Sequence, residues 1–186
     1  MNLAEVVQDH MSITKMTKVD ACERNNGPTD LSPMVVWIDS DGKTNVAVVE
    51  VKGNTLEYMP KVLSFMAEQN PRVLVFIAES LAKSVGSEAE LEKFLADHEP
   101  GELRRQYEAR GPLSGIRELI AFNGIDMATG EQVQGLVHFT YDDRGIPVFS
   151  ETEVSEIPRE NIDKANMSWL FDTFYEFMRM KQAEKN

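Results

Sequence analysis

Residues 73–78 read VLVFIA, six apolar residues in a row inside a chain that is 27% charged. The run has the length of a strand, and because successive strand side chains point to opposite faces, both faces of this one must be covered. The segment is therefore expected to be a central strand, with further structure layered on each side. A 186-residue chain that is 42% hydrophobic has enough material for that as a single domain, 1–186.

The neighbours of this strand are read from turn chemistry. MVVWID (34–39) and NVAVVEVK (45–52) flank SDGK, and Asp-Gly between two apolar runs signals a β-hairpin. A two-residue Asp41-Gly42 turn pairs Ser40 with Lys43, Met34 with Val49 and Pro33 with Glu50. Pro60 suits the first turn of a helix that buries Met59, Val62, Leu63 and Met66 and runs to about Gln69. Three more strands, IRELIAF (116–122), QVQGLVHFTY (132–141) and IPVFSE (146–151), are separated by NGIDMATG and DDRG and form an antiparallel meander, with Pro147 marking its last strand as an edge. The N-terminus offers a short helix over 2–11, and Lys18 to Ser32 reads as loop. Between the central strand and the meander lies a mobile helical excursion, 80–115, in which Ser87 and Glu90 form a capping box ahead of Leu91, Phe94 and Leu95. A long C-terminal helix, 159–184, completes an α+β fold built on a mostly antiparallel sheet of about six strands.

Charge and cysteine content narrow the function classes. A formal net charge of -12 repels phosphate backbones, and the basic cluster Arg104, Arg105, Arg110 is interrupted by Glu108, so a nucleic-acid partner is not expected. The single cysteine, Cys22, forms no internal disulfide and points to a reducing compartment. No apolar run approaches the roughly 20 residues that span a bilayer, and no secretory signal opens the chain. The expected location is cytoplasmic, without membrane contact.

One motif names a chemistry. A hairpin whose second strand ends in Glu50-Val51-Lys52 resembles the restriction-endonuclease-like nucleases and their PD-(D/E)xK pattern. The resemblance spans about 20 residues; it implies that Glu50 shares a divalent metal with an aspartate of the preceding strand while Lys52 orients the attacking water. Yet the hairpin register brings Pro33 and Met34, PM in place of PD, to the aspartate's position. Asp39 lies five or six rungs of about 3.3 Å away, which leaves Asp30 as the one carboxylate able to fold back. Any metal cofactor belongs to this alternative alone.

Two other candidates remain. Glu79 ends the central apolar run, where ligand crevices of open sheets are often lined, and the 80–115 excursion lies beside it as a lid; that makes Glu79 an acid/base candidate for small-molecule chemistry. His138 sits alone in its strand, and no zinc spacing, GxGxxG, phosphate loop or GxSxG elbow occurs. The aspartates at 39, 41, 142 and 143 are explained by turns. On the last helix Trp169, Phe171, Phe174, Tyr175, Phe177, Met178 and Met180 cover more of the circumference than one core stripe needs, so the surplus points to a protein partner or to self-association. The function expected from the sequence is a non-catalytic binding or regulatory protein acting through its acidic surface and this helix. Its alternatives are the Glu50–Lys52 phosphodiester hydrolase and an enzyme centred on Glu79.

Overall fold

The computed structural model describes residues 2–50, 55–83, 102–110, 115–158 and 167–183. Its elements in chain order are α1 (Leu3–Asn25), β1 (Met34–Ile38), β2 (Thr44–Val48), α2 (Thr55–Gln69), β3 (Val73–Lys83), α3 (Glu102–Arg110), β4 (Ile116–Asp126), β5 (Gln132–Tyr141), β6 (Pro147–Ile157) and α4 (Met167–Ala183). The six strands form one sheet in the order β2-β1-β3-β4-β5-β6, and every pairing is antiparallel. The α+β class and six-stranded antiparallel sheet agree with the sequence reading.

VLVFIA occupies the interior strand β3, and Val73 to Ile77 are all buried. On one face Val73, Val75 and Ile77 join Val36, Ile120, Phe122, Val137 and Phe139 beneath Leu3, Val7 and Met11 of α1. On the other, Val35, Leu74, Phe76 and Ile125 pack against Met59, Leu63 and Met66 of α2 and against α4. The sheet is thus the middle of three layers, as two apolar faces require.

α1 is the largest departure from expectation. It runs to Asn25 rather than ending near residue 11, and the segment after Lys18 that reads as loop contributes its last two turns. Its buried stripe is Leu3, Val7, Met11, Thr14, Lys18 and Cys22. The helical spacing persists throughout, but the chemistry changes from apolar to polar half-way, so hydrophobic periodicity loses the signal. Asn2 caps the start by accepting a hydrogen bond from the Ala4 N–H at 2.9 Å. Asn26 ends the helix in the left-handed conformation at φ 54°, which lets the Gly27 N–H donate to the Cys22 carbonyl at 3.0 Å. The helix lies close to the sheet because β4 and β5 present Gly124 and Gly135 beneath it. A Cβ on Gly135 would stand 2.9 Å from Val7 and 3.0 Å from Met11.

The β1–β2 and β5–β6 hairpins follow one design. Asp39 accepts from the Asp41 and Lys43 N–H groups, with Gly42 at φ 81°; Asp142 accepts from Arg144 and Ile146, with Gly145 at φ 76°. These are three-residue loops closed by a left-handed glycine, not two-residue turns. The consequence is a register one residue from that expected: Ile38 faces Thr44 and Met34 faces Val48. Elsewhere β4 continues through the Asn123–Asp126 stretch expected as turn, β6 extends to Ile157, and Pro60 lies inside α2 rather than in its first turn. β3 likewise continues to Lys83, so the excursion expected from residue 80 starts later; its capping box at Ser87 and Glu90 lies outside the described residues, and α3 is its described helical part. Of the expected helix 159–184, the described part is Met167–Ala183. No helix among the described residues is long and apolar enough to cross a membrane.

Candidate ligand-binding site

Among the described residues the most unusual side chain is that of Lys18, which is 0% exposed. An ammonium can be buried only if charge and hydrogen-bonding capacity are both met. Its Nζ lies 2.6 Å from Oε1 of Glu79, donates to the Thr29 carbonyl at 2.6 Å, and stands 5.0 Å and 5.4 Å from the ring centroids of Phe139 and Tyr141. Glu79 also accepts from the Leu31 N–H at 2.9 Å. One helix, one central strand, the 26–33 connection and one meander strand therefore meet at a single cation.

This contact revises the view of Glu79. It is not at a strand end, since it faces Ile120 in the middle of the β3–β4 ladder. Burial raises the proton affinity of its carboxyl against the opposing effect of Lys18 and the Leu31 N–H, and the nearby charge of Asp30 raises it further. Both the lysine and a backbone donor hold Glu79, and it is not among the residues that line the adjoining cleft.

That cleft, about 680 Å³, opens where the start of β4 and the end of β5 meet α3. Tyr107, Ile116, Glu118, His138, Phe139 and Tyr141 line it, together with Arg117, Thr140, Ser150 and Gly115. Glu118 shares the α1 face with Glu79, and its carboxylate accepts a hydrogen bond from the Tyr107 hydroxyl. Partial burial pushes its proton affinity up, while Tyr107 and Lys18 act the other way. Tyr141 is held as a neutral phenol well above its ordinary range, first by burial and then by the charges of Glu118 and Glu79. The negative charge of Asp30, exposed on the 26–33 connection, raises the proton affinity of Glu79, Glu118 and Tyr141 alike.

His138 lies on the opposite face of β5. β6 carries an irregularity here, since Phe139 faces Phe149 but Val137 faces Thr152. Ser150 and Glu151 therefore share the place opposite His138. Its Nε2 is 4.0 Å from Oε1 of Glu153, and with Glu151 the three ligand-type atoms lie within 4.8 Å of one another. Its Nδ1, however, is buried without a hydrogen-bond partner. A metal on Nε2 would force the imidazole proton onto that nitrogen and bury an unsatisfied N–H, whereas metal-binding histidines have an acceptor there. The favoured tautomer keeps the proton on Nε2, facing the glutamates.

Among the described residues the nuclease pattern is not assembled. With the observed register, the Val49 N–H donates to the Pro33 carbonyl at 2.7 Å, so Ser32 rather than Pro33 comes opposite Glu50. Glu50 is exposed just beyond β2, and Lys52 lies outside the described residues. Among the described residues, the only grouping of three ligand-type side chains is the one around His138.

The expected partner face of the last helix is largely interior. Phe171, Phe174, Tyr175 and Met178 are buried against α2 and the sheet, with Leu170 beside them. The wide apolar stripe is needed because α4 packs on a helix and a sheet at once. Phe177 and Met180 remain outside, 48% and 60% exposed, and Trp169 lies outside the residues whose side chains are described.

Sequence reasoning found Glu79 but missed Lys18, Glu118, Tyr107 and Tyr141. The signal for Lys18 was its place on the stripe begun by Leu3, Val7 and Met11; nothing in the sequence marked Glu118. Comparisons with protein-family models, curated proteins and solved structures found no match.

Proposed function

We propose that this chain is a binding protein whose ligand is a small molecule received in the cleft between α3 and the β4–β5 ends. The observation that carries this reading is the cleft itself. At about 680 Å³ it has the size of a small-molecule site, and its wall combines apolar and aromatic surface with a few fixed polar groups, Glu118 held by Tyr107 foremost. The alternatives have less to build on: Glu79 is tied to Lys18 and Leu31, and the register sets no aspartate opposite Glu50. A protein partner and self-association stay within the proposal as uses of the acidic surface and of the apolar residues left outside, Phe177 and Met180 on α4 and Val46 and Val48 on β2.

The test is a thermal-shift screen of chemically diverse small molecules against the wild type and Ser150→Trp, which fills the cleft from the exposed bulge of β6. Ligands of the cleft raise the apparent stability of the wild type by RT ln(1 + [L]/Kd), about 2.7 kcal/mol at a hundredfold excess over Kd, and lose that effect in the variant. Hits that stabilise both proteins equally would show that the cleft is not the site.

A further inference from the structure

The cluster around Lys18 is out of balance. Glu79 and Glu118 are partly buried on the same face of the sheet, the exposed Asp30 adds its negative charge to both, and the buried cation beside them is Lys18. Lys18 is spent on Glu79 at 2.6 Å and on the Thr29 carbonyl. The other cations nearby do not restore the balance: the Arg117 guanidinium lies 3.8 Å from Glu151 on the opposite face, and Arg104 of α3 affects Glu118 less than its other charged neighbours do. His138, also in the cleft wall, faces Glu153. Glu118 is thus the carboxylate in the cleft wall whose charge is met mainly by a phenol.

The aromatic part of the wall adds an independent constraint. Phe139 and Tyr141 both line the cleft, and both already take an ammonium group against their faces, since Lys18 Nζ stands 5.0 Å and 5.4 Å from their centroids. Rings and carboxylates in combination form a surface suited to an ammonium, because the negative ring faces and the carboxylate oxygens attract the same charge from different directions. The protein has used one copy of this chemistry internally, and the cleft presents Glu118, Tyr107 and the half-buried ring of Tyr141 beside it.

Resting on the reading of the cleft as a binding site, we propose that its ligand is an organic ammonium compound: a positively charged amine directed at Glu118, with an apolar body lying along Tyr107 and Tyr141. A carboxylate ligand is disfavoured by the same charges, and a neutral one would leave the carboxylate excess as it stands.

Isothermal titration of the full chain with 2-phenylethylamine, 2-phenylethanol and 3-phenylpropionate, in wild type and Glu118→Gln, tests the charge requirement with ligands of similar size. The amine is expected to bind at least tenfold more tightly than the alcohol, the carboxylate more weakly than both, and Glu118→Gln to bring amine and alcohol together while alcohol affinity stays the same. Equal binding of amine and alcohol to the wild type, or an amine preference that survives in Glu118→Gln, would overturn the ammonium assignment and leave the cleft as a site for neutral ligands. Binding of all three that persists unchanged in Ser150→Trp would overturn the cleft reading as well. Circular dichroism of each variant excludes misfolding as the cause of a loss.

Discussion

Lys18 and Glu79 form a buried ion pair whose two members depend on each other. Removing one partner leaves the other as an uncompensated group in a dry setting, which costs about 3–5 kcal/mol in buried pairs of this kind. Lys18→Ala is therefore expected to lower stability by that order in urea unfolding, and Lys18→Met combined with Glu79→Leu by less than Lys18→Ala alone, since the double change removes both charges. A larger loss in the double variant would mean that the pair contributes mainly through the 26–33 connection it anchors. Glu118 supplies a pH signature. Its proton affinity is raised in the fold, so between the ordinary glutamate range and its raised value the folded state binds more protons than the unfolded one. Stability contributed by that proton is present at low pH and is lost as pH rises through the raised value. Glu118→Gln should flatten that part of the decline and leave the variant more stable than wild type at neutral pH, as seen in melting temperatures measured across the window. A variant with an unchanged slope would show that Glu118 keeps an ordinary affinity.

At the scale of elements, the contact of α1 with the sheet depends on two side chains that are missing. Gly135→Ala inserts a methyl 2.9 Å from Val7, and overpacking of this kind costs about 1–3 kcal/mol, which urea denaturation would register. Gly135→Ala combined with Val7→Ala should recover part of the loss. The same element shows where sequence reading succeeds and fails. Strands were legible because their cues are local: VLVFIA declared its own burial, and QVQGLVHFTY was found with its true bounds, Gln132–Tyr141. The span of α1 was not legible, because its buried face changes from Val7 and Met11 to Thr14 and Lys18, and the ion-pair partner of Lys18, Glu79, lies far along the chain. The hairpin was found but its register missed by one residue, since Asp-Gly suits a two-residue turn and also, as here, a three-residue loop. For the site, Glu79 was singled out for a strand end it does not occupy, and Glu118 gave no sign, because a cleft between strand ends and α3 exists only after folding.

At the scale of the whole molecule, the sheet has two unlike edges. β6 opens with Pro147, carries the bulge at Ser150 and Glu151, and exposes Glu151, Glu153 and Glu156. β2 has none of these devices. Its residues Thr44–Val48 carry no charge and no proline, Val46 and Val48 are 57% and 67% exposed, and among the described residues nothing pairs with its outer side. Val46→Lys should thus reduce any concentration-dependent association seen by analytical ultracentrifugation, while Val148→Lys on β6 should have no such effect. The difference between the edges also sets a limit on growth. A sheet with two open edges can add strands from neighbour after neighbour and propagate into a filament. A sheet with one open edge spends it on the first neighbour, so a strand-to-strand association of this chain ends at a pair.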